Sequence, residues 1–258
     1  MFRQIKVIAK YTFIEAMLNR LFWVLAAFLI SAFAVTEFIA DIAVTDQREI
    51  QIAILANLLR YSGIGLLTIL IISSGTREQQ DKSLDFMLSL PISRTCYFLG
   101  KLSGFITLSL LISTVFALLL FLYADLTAVI LWSMSYCLEL IIICCLSLLA
   151  TYSFRHVLAG LGSVLLFYIL ARALGAITLI AQGPLVQTQG VGQQFIDAFF
   201  SLLSWMLPAL DRFSQTSWLV YGDYNQQSLA NMLIQALIYI PLLSAVALVD
   251  FYRKNISR

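Results

Sequence analysis

Charged side chains are scarce in this chain. Asp, Glu, Lys and Arg make up 12% of its 258 residues, hydrophobic residues make up 61%, and the mean hydropathy is +0.92. A composition this apolar excludes a soluble domain. Apolar runs of about 20 residues recur, which is the length that crosses a hydrocarbon core of ~30 Å. The sequence therefore predicts a single all-α membrane domain over residues 1–258.

Motifs that carry chemistry are also missing. His156 is the single histidine and cannot supply a histidine-rich metal site, so no metal is expected. The His-Glu-x-x-His and Gly-x-Ser-x-Gly patterns are absent, which gives no support to a membrane protease or hydrolase. Gly100-Lys101 lacks the upstream glycine of a phosphate-binding loop. We therefore expect no ATP hydrolysis by that route, no cofactor in this chain and no enzymatic activity of its own.

The four cysteines lie in or beside apolar segments, so a disulfide framework is not expected. The adjacent pair Cys144-Cys145 leaves two interpretations, a pair of soft-metal ligands or two small apolar side chains inside a span. The second is favoured, because neighbours on a helix point about 100° apart.

Six segments have the length and composition of membrane spans. They cover residues of roughly 21–39, 54–74, 97–123, 127–150, 157–181 and 229–250. Small residues at Gly63 and Gly65, and at Gly160 and Gly162, favour close helix contacts in the second and fifth spans. The first span has the flanks of a cleaved signal peptide, but the patterned region ahead of it favours an uncleaved span.

Residues 1–20 have a helical pattern of their own. One apolar stripe is formed by Phe2, Ile5, Ala9, Phe13 and Ala16, and Arg3, Lys6 and Lys10 lie beside it. This pattern predicts an elbow helix on the inner leaflet, with membrane lipid as its partner.

Positive charge predicts the orientation of the spans. An N-in, C-in arrangement places 12 of the 16 Lys and Arg residues on the inner side and leaves Arg48 and Arg212 in the outer loops. The 12 inner residues are Arg3, Lys6, Lys10, Arg20, Arg77, Lys82, Arg94, Lys101, Arg155, Arg253, Lys254 and Arg258.

This orientation can be tested with single cysteines. A cysteine at Gln189 is expected to react with an impermeant thiol reagent added outside, whereas one at Gln79 is expected to react only after the membrane is opened. The reverse pattern would reject the six-span arrangement.

The inner polar loop at residues 75–96 carries the most informative sequence. Leu84, Met87 and Leu88 lie at i, i+3 and i+4, so a short helix would present one apolar edge. Asp81 or Ser83 can cap its start, and Pro91 ends it. The spacing predicts a short amphipathic helix outside the bilayer, connected to a span on each side.

This loop resembles the cytoplasmic coupling segment of type-2 ATP-binding-cassette export permeases. The matching residues are Ser83, Leu84, Asp85, Met87, Leu88, Ser89, Leu90, Pro91, Ile92, Ser93, Arg94, Leu99, Gly100 and Lys101. The chain departs from the pattern at Lys82, where glycine is usual, and at Ser83, where threonine is usual. The family usually carries an acidic residue near position 80. In this chain that position is Gln80, with the acidic residues Glu78 and Asp81 on either side of it.

The resemblance implies a permease subunit in the bacterial cytoplasmic membrane, with a second identical or related copy. It also implies two cytosolic ATPase subunits that hold ATP and Mg²⁺, and no nucleic-acid partner. The residues that it assigns to ATPase coupling are Glu78, Asp81, Ser83, Leu84, Asp85, Met87, Leu88, Pro91 and Arg94. Three alternatives stay open: an apolar edge that packs on the chain's own inner loops, an ATP-independent transporter or channel, and a membrane anchor without transport.

Two ionisable residues lie deep inside predicted spans, namely Glu139 and Arg172. Charges at that depth are costly and usually mark pathways or pairs, so we expect the two to pair, either for folding or for transport. Arg60 and Glu37 lie nearer the outer surface and are expected to extend toward it.

The outer segment 182–228 contains an apolar run at Phe195–Leu207 that is too short to span. It predicts an interfacial or re-entrant helix, or an amphipathic helix that rests on lipid. In the resembled family, short outer helices at this place help to close the translocation path.

Overall fold

The computed structural model describes residues 2–42, 47–81, 93–154, 156–181, 203, 207–222 and 226–253. Within these ranges the chain is helical and has no strand. The helices are α1 (Phe2–Leu18), α2 (Arg20–Ile42), α3 (Gln47–Gln80), α4 (Arg94–Leu120), α5 (Leu126–Ser153), α6 (Val157–Ala181), α7 (Thr216–Tyr221) and α8 (Gln226–Arg253), with a 3-10 turn at Leu210–Arg212.

Six of these helices, α2 to α6 and α8, contain stretches long and apolar enough to cross a membrane. Over the described residues the chain is therefore all-helical and has the character of a multi-pass membrane protein, and the six predicted spans fall in these six helices. Helix α3 has 34 residues, so it is about 51 Å long and projects beyond a hydrocarbon core of ~30 Å. Residues 75–80, the start of the predicted polar loop, continue α3 as helix.

The long helices alternate in direction and give the bundle two sides. We call the side that carries α1 and the end of α8 the termini side, and the opposite one the far side. On the termini side, Gln79 Nε2 donates to Thr151 O at 3.1 Å, and Ser153 donates to Asp250. On the far side, Arg48 Nε donates to Tyr123 O at 3.0 Å.

Helix α5 lies at the centre of the bundle. It packs against α3, α4, α6, α7 and α8, and its side chains Trp132 and Tyr136 are fully buried. Cys144 and Cys145 are fully buried in the same core as free thiols.

Glycines let α3 approach its neighbours closely. A Cβ at Gly63 would lie 2.1 Å from the hydroxyl oxygen of Tyr136 on α5, and a Cβ at Gly160 would lie 3.3 Å from Ile72 on α3. Gly65 and Gly162 face open space. One member of each predicted pair therefore lies at a helix contact, and the other does not.

Helix α1 packs lengthwise on α4. A Cβ at Gly100 would lie 2.7 Å from Ile8, and a Cβ at Gly104 would lie 2.8 Å from Thr12 and 2.9 Å from Ala9 O. The two helices run in the same direction here, since a step of four residues on one matches a step of four on the other. The spacing is the Gly-x-x-x-Gly pattern of close helix pairs, and it was not among the small-residue pairs predicted from the sequence.

This packing corrects the interpretation of α1 from its sequence. The stripe that contains Ala9 and Ala16 was expected to face lipid. Ala16 is buried, and the backbone of Ala9 lies against Gly104. The part of the stripe with Ala9 and Ala16 therefore faces the bundle, whereas Phe2, at the start of the stripe, is exposed. A different face of α1 is exposed along its length.

A substitution at Gly104 tests the α1 contact. Gly104→Ala is expected to lower the free energy of unfolding in detergent by about 1–3 kcal/mol, because its Cβ meets backbone as well as side chain. Gly162→Ala is the matched control, since its Cβ meets nothing within 4 Å. It is expected to leave stability unchanged or raised by up to about 1 kcal/mol through helix propensity. Equal effects of the two substitutions would contradict the contact.

Candidate functional site

Part of the connection between α6 and α8 packs into the far side of the bundle. The described part, residues 207–222, is called here the far-side segment. Its Leu210, Phe213 and Trp218 are buried, so the segment enters the bundle. The predicted helix at 195–207 lies outside the described residues, apart from 203 and 207.

Ser214 anchors the far-side segment. Its φ of 43° lies in the left-handed region, which costs a residue with a Cβ about 1–2 kcal/mol. Every polar group of this buried serine is bonded. The N–H donates to Ser135 Oγ at 2.9 Å, the carbonyl accepts from Trp132 Nε1 at 3.1 Å and from Arg60, and the hydroxyl donates to Glu139. These bonds offset the backbone strain.

Glu139 lies at the centre of the same contacts and is fully buried. Its Oε1 accepts from Tyr168 Oη at 2.9 Å and from Arg172 Nη1 at 3.1 Å, and its Oε2 accepts from Ser214. The structure thus brings together Glu139 and Arg172, as expected from their depths. Arg172 Nη1 also donates to Leu210 O at 3.0 Å, so the pair holds the far-side segment as well.

The position of Arg60 differs from the one expected from the sequence. It does not extend to the outer surface but is buried beneath the far-side segment. Besides Ser214, it donates to Asn57 Oδ1 at 3.2 Å and to Thr216 Oγ1 at 3.3 Å. In the sequence, this buried position was indicated by the presence of a cation inside an apolar run. We call these polar residues the Glu139 cluster: Arg60, Ser135, Glu139, Tyr168, Arg172 and Ser214.

Glu37, by contrast, is exposed and accepts from Tyr123 Oη at 2.5 Å. Desolvation, followed by this hydrogen bond, raises the pKa of Tyr123 to about 12. The Tyr123 hydroxyl is the donor in this bond.

The Glu139 cluster lies deep in the bundle. Glu139 is 13 residues from the start of α5, which corresponds to about 20 Å along the helix. A loop at that depth needs partners for its backbone groups, because no water is present in hydrocarbon. The cluster supplies them, and these bonds hold the far-side segment inside the bundle.

Substitutions in the cluster have an expected order of effect. Glu139→Gln leaves two arginines near Ser214 without a carboxylate and is expected to lower the free energy of unfolding by roughly 3–5 kcal/mol. Arg172→Gln is expected to cost less, since Tyr168 and Ser214 still donate to Glu139. The double substitution is expected to recover part of the sum of the two losses. The measurement is unfolding in detergent.

Glu37→Gln is the matched control, because it removes an exposed carboxylate on the same side and is expected to have little effect. If the losses at Glu139 and Arg172 simply add to within about 0.5 kcal/mol, the two residues are not coupled.

A second polar cluster lies on the termini side. Glu78, in the last turn of α3, accepts from Tyr97 Oη at 2.6 Å and from Lys101 Nζ, both on α4. The Lys101 side chain is 6% exposed and that of Glu78 is 19% exposed. We call these three residues the stem clamp, because they join the two helices that flank the polar loop.

The other predicted coupling residues are placed as follows. Asp81 is exposed and forms an ion pair with Arg77 at 3.5 Å. Arg94 begins α4, donates to Tyr252 O at 3.2 Å and lies 5.9 Å from the centre of the Tyr252 ring. Ser93 caps α4 by accepting from the N–H of Cys96. The remaining predicted residues lie outside the described ranges; they are Ser83, Leu84, Asp85, Met87, Leu88 and Pro91.

An apolar groove of about 530 Å³ lies between α4, α5 and α8, with Leu110, Met134 and Leu233 in its wall. Its hydroxyl groups are bonded within the chain, as for Ser113 Oγ, which donates to Ser133 O at 2.8 Å. The groove therefore offers an apolar surface.

Among the described residues, no group of three or more His, Cys, Asp or Glu side chains is placed to hold a metal ion. Comparison with protein-family models finds no match, and comparison with curated proteins finds no significant relative. Functional inference therefore depends on the residues of this chain.

Proposed function

We propose that this chain is the membrane-spanning permease subunit of an ATP-driven exporter of the type-2 ATP-binding-cassette class, in the bacterial cytoplasmic membrane. The resemblance of the polar loop to the coupling segment of that class supports the proposal. The N-in, C-in orientation favoured by the distribution of positive charge would place this loop in the cytosol.

The stem clamp is the observation that carries the proposal. It joins the end of α3 to the start of α4, directly at the base of the polar loop. Breaking a buried, hydrogen-bonded ion pair leaves a charge without compensation and typically costs about 3–5 kcal/mol. The two stems are therefore expected to move together, and a force applied to the loop reaches both helices. Glu78 acts in this proposal through Lys101 and Tyr97.

The transport cycle follows from this connection. Two permease subunits, identical or related, pair with two cytosolic ATPase subunits that hold ATP and Mg²⁺. ATP binding brings the ATPases together, the loop moves α3 and α4, and the far-side segment leaves the Glu139 cluster. The apolar groove between α4, α5 and α8 receives the apolar part of a substrate.

An ATP-independent transporter is less well supported. Such a protein usually relays ions or protons through several intramembrane acids. Within the described residues, Glu139 is the only fully buried carboxylate.

The polar loop supplies the test. Leu84→Asp combined with Leu88→Asp is expected to leave the protein inserted and folded but to abolish its association with an ATPase, because charge replaces the apolar edge. The tagged chain is purified from native membranes, and nucleotide-dependent, vanadate-sensitive ATP hydrolysis is measured in the captured complex.

The control combines Phe154→Asp with Leu158→Asp, two exposed apolar residues on the same side of the bundle. The control is expected to capture as much ATPase activity as the original chain. Transport and captured activity that survive Leu84→Asp with Leu88→Asp would show that the loop is not the docking element. A complete absence of ATPase activity with the original chain would reject the exporter proposal itself.

A further inference from the structure

Helix α1 presents an exposed apolar face that no described helix covers. Val7, Tyr11, Ile14 and Leu18 lie at i, i+4, i+7 and i+11, which forms one stripe along a helix. Their exposed fractions are 47, 69, 39 and 78%. The opposite face, with Ile8 and Thr12, is occupied by the glycines of α4. The stripe is therefore a surface and not part of the chain's own core.

A row of cations borders this stripe. Arg3, Lys6 and Lys10 lie at i, i+3 and i+7, and all three are exposed. Glu15 is the only acidic residue in α1, and it accepts a hydrogen bond from Ser74 of α3 at 3.2 Å. By helical spacing it lies on the other side of the apolar stripe. The surface thus combines an apolar face with one positively charged border.

A small cavity of about 240 Å³ lies at the start of this surface, lined by Arg3, Gln4, Val7 and Ile8. Gln4 is held in place by Cys96 of α4, whose Sγ donates to Gln4 Oε1 at 3.7 Å. The cavity therefore brings a guanidinium and an amide beside two aliphatic side chains. These are the groups that suit a phosphate with hydrocarbon attached to it.

We infer that α1 binds anionic phospholipid of the bilayer surface, with the phosphate at Arg3 and Gln4 and the acyl region against Val7, Tyr11, Ile14 and Leu18. Cations beside an apolar helix face are the pattern of binding to anionic bilayers. The apolar face by itself would accept any lipid, and the cationic border selects the negatively charged headgroup. A second copy of α1 fits less well, because its single acid is already bonded to Ser74.

The full-length protein in neutral detergent provides the test. Its unfolding temperature is measured during titration with dioctanoyl phosphatidylglycerol, dioctanoyl phosphatidylcholine or inorganic phosphate. The anionic lipid is expected to stabilise the protein at a concentration about tenfold or more below that of the neutral lipid, since each surface cation favours anionic lipid. Raising the salt to about 0.5 M is expected to remove most of this difference through screening.

Two triple variants separate α1 from general surface charge. Arg3→Gln with Lys6→Gln and Lys10→Gln is expected to abolish the preference for the anionic lipid. Arg20→Gln with Arg77→Gln and Arg253→Gln, a control that removes three exposed cations on the same side, is expected to keep it. If the first variant is unstable, Lys6→Arg with Lys10→Arg replaces it and is expected to keep the preference.

Four outcomes would overturn the inference: equal stabilisation by both lipids, equal stabilisation by inorganic phosphate, loss of the preference in the control, or retention of it in the first variant. A rise in the unfolding temperature with protein concentration but not with lipid would assign the apolar face to a second copy. Lipid binding by α1 does not require an ATPase, so its failure would leave the exporter proposal untouched.

Discussion

The carboxylate of Glu139 is the group on which the arrangement of the far side depends. An ionised carboxylate away from water is costly unless hydrogen bonds and opposite charge compensate it. Glu139 obtains this from Tyr168 and Arg172 on α6 and from Ser214 of the far-side segment. The donors come from separate parts of the chain, so satisfying one buried charge also fixes how these parts meet. The strained, left-handed backbone of Ser214 persists because these surrounding contacts stabilise it.

Close packing supports the same arrangement. In lipid, the hydrophobic effect does not draw apolar helices together, so van der Waals contact and interhelical hydrogen bonds have to do so. Gly63 and Gly75 bring α3 against α5, and Gly100 and Gly104 bring α1 against α4. Polar contacts then form at short range between the closely packed helices. The stem clamp spans α3 and α4, and Arg60 spans α3 and the far-side segment.

The sequence predicted what is local and missed what depends on distant parts of the chain. The six spans follow from the lengths of the apolar runs, and the meeting of Glu139 and Arg172 follows from their depths in neighbouring helices. The burial of Arg60 depends on Ser214 and Thr216, more than 150 residues further along, and nothing near Arg60 in the sequence indicates them. Residues 75–80 were predicted to belong to a loop because they are polar. Hydropathy indicates where the bilayer ends and not where a helix ends. The Gly100–Gly104 spacing was visible, but it does not name α1 as the partner.

Helix α3 connects the two polar clusters. Glu78 and Arg60 lie 18 residues apart on this single helix, about 27 Å along its axis. An uninterrupted helix packed on α5 transmits an axial displacement over that distance without needing a chain of side-chain rearrangements. The two ends differ in what holds them: an ion pair to α4 at Glu78, and bonds to the far-side segment at Arg60. In the proposed exporter, a displacement imposed through the polar loop would therefore act directly on the bonds that hold the far-side segment in place.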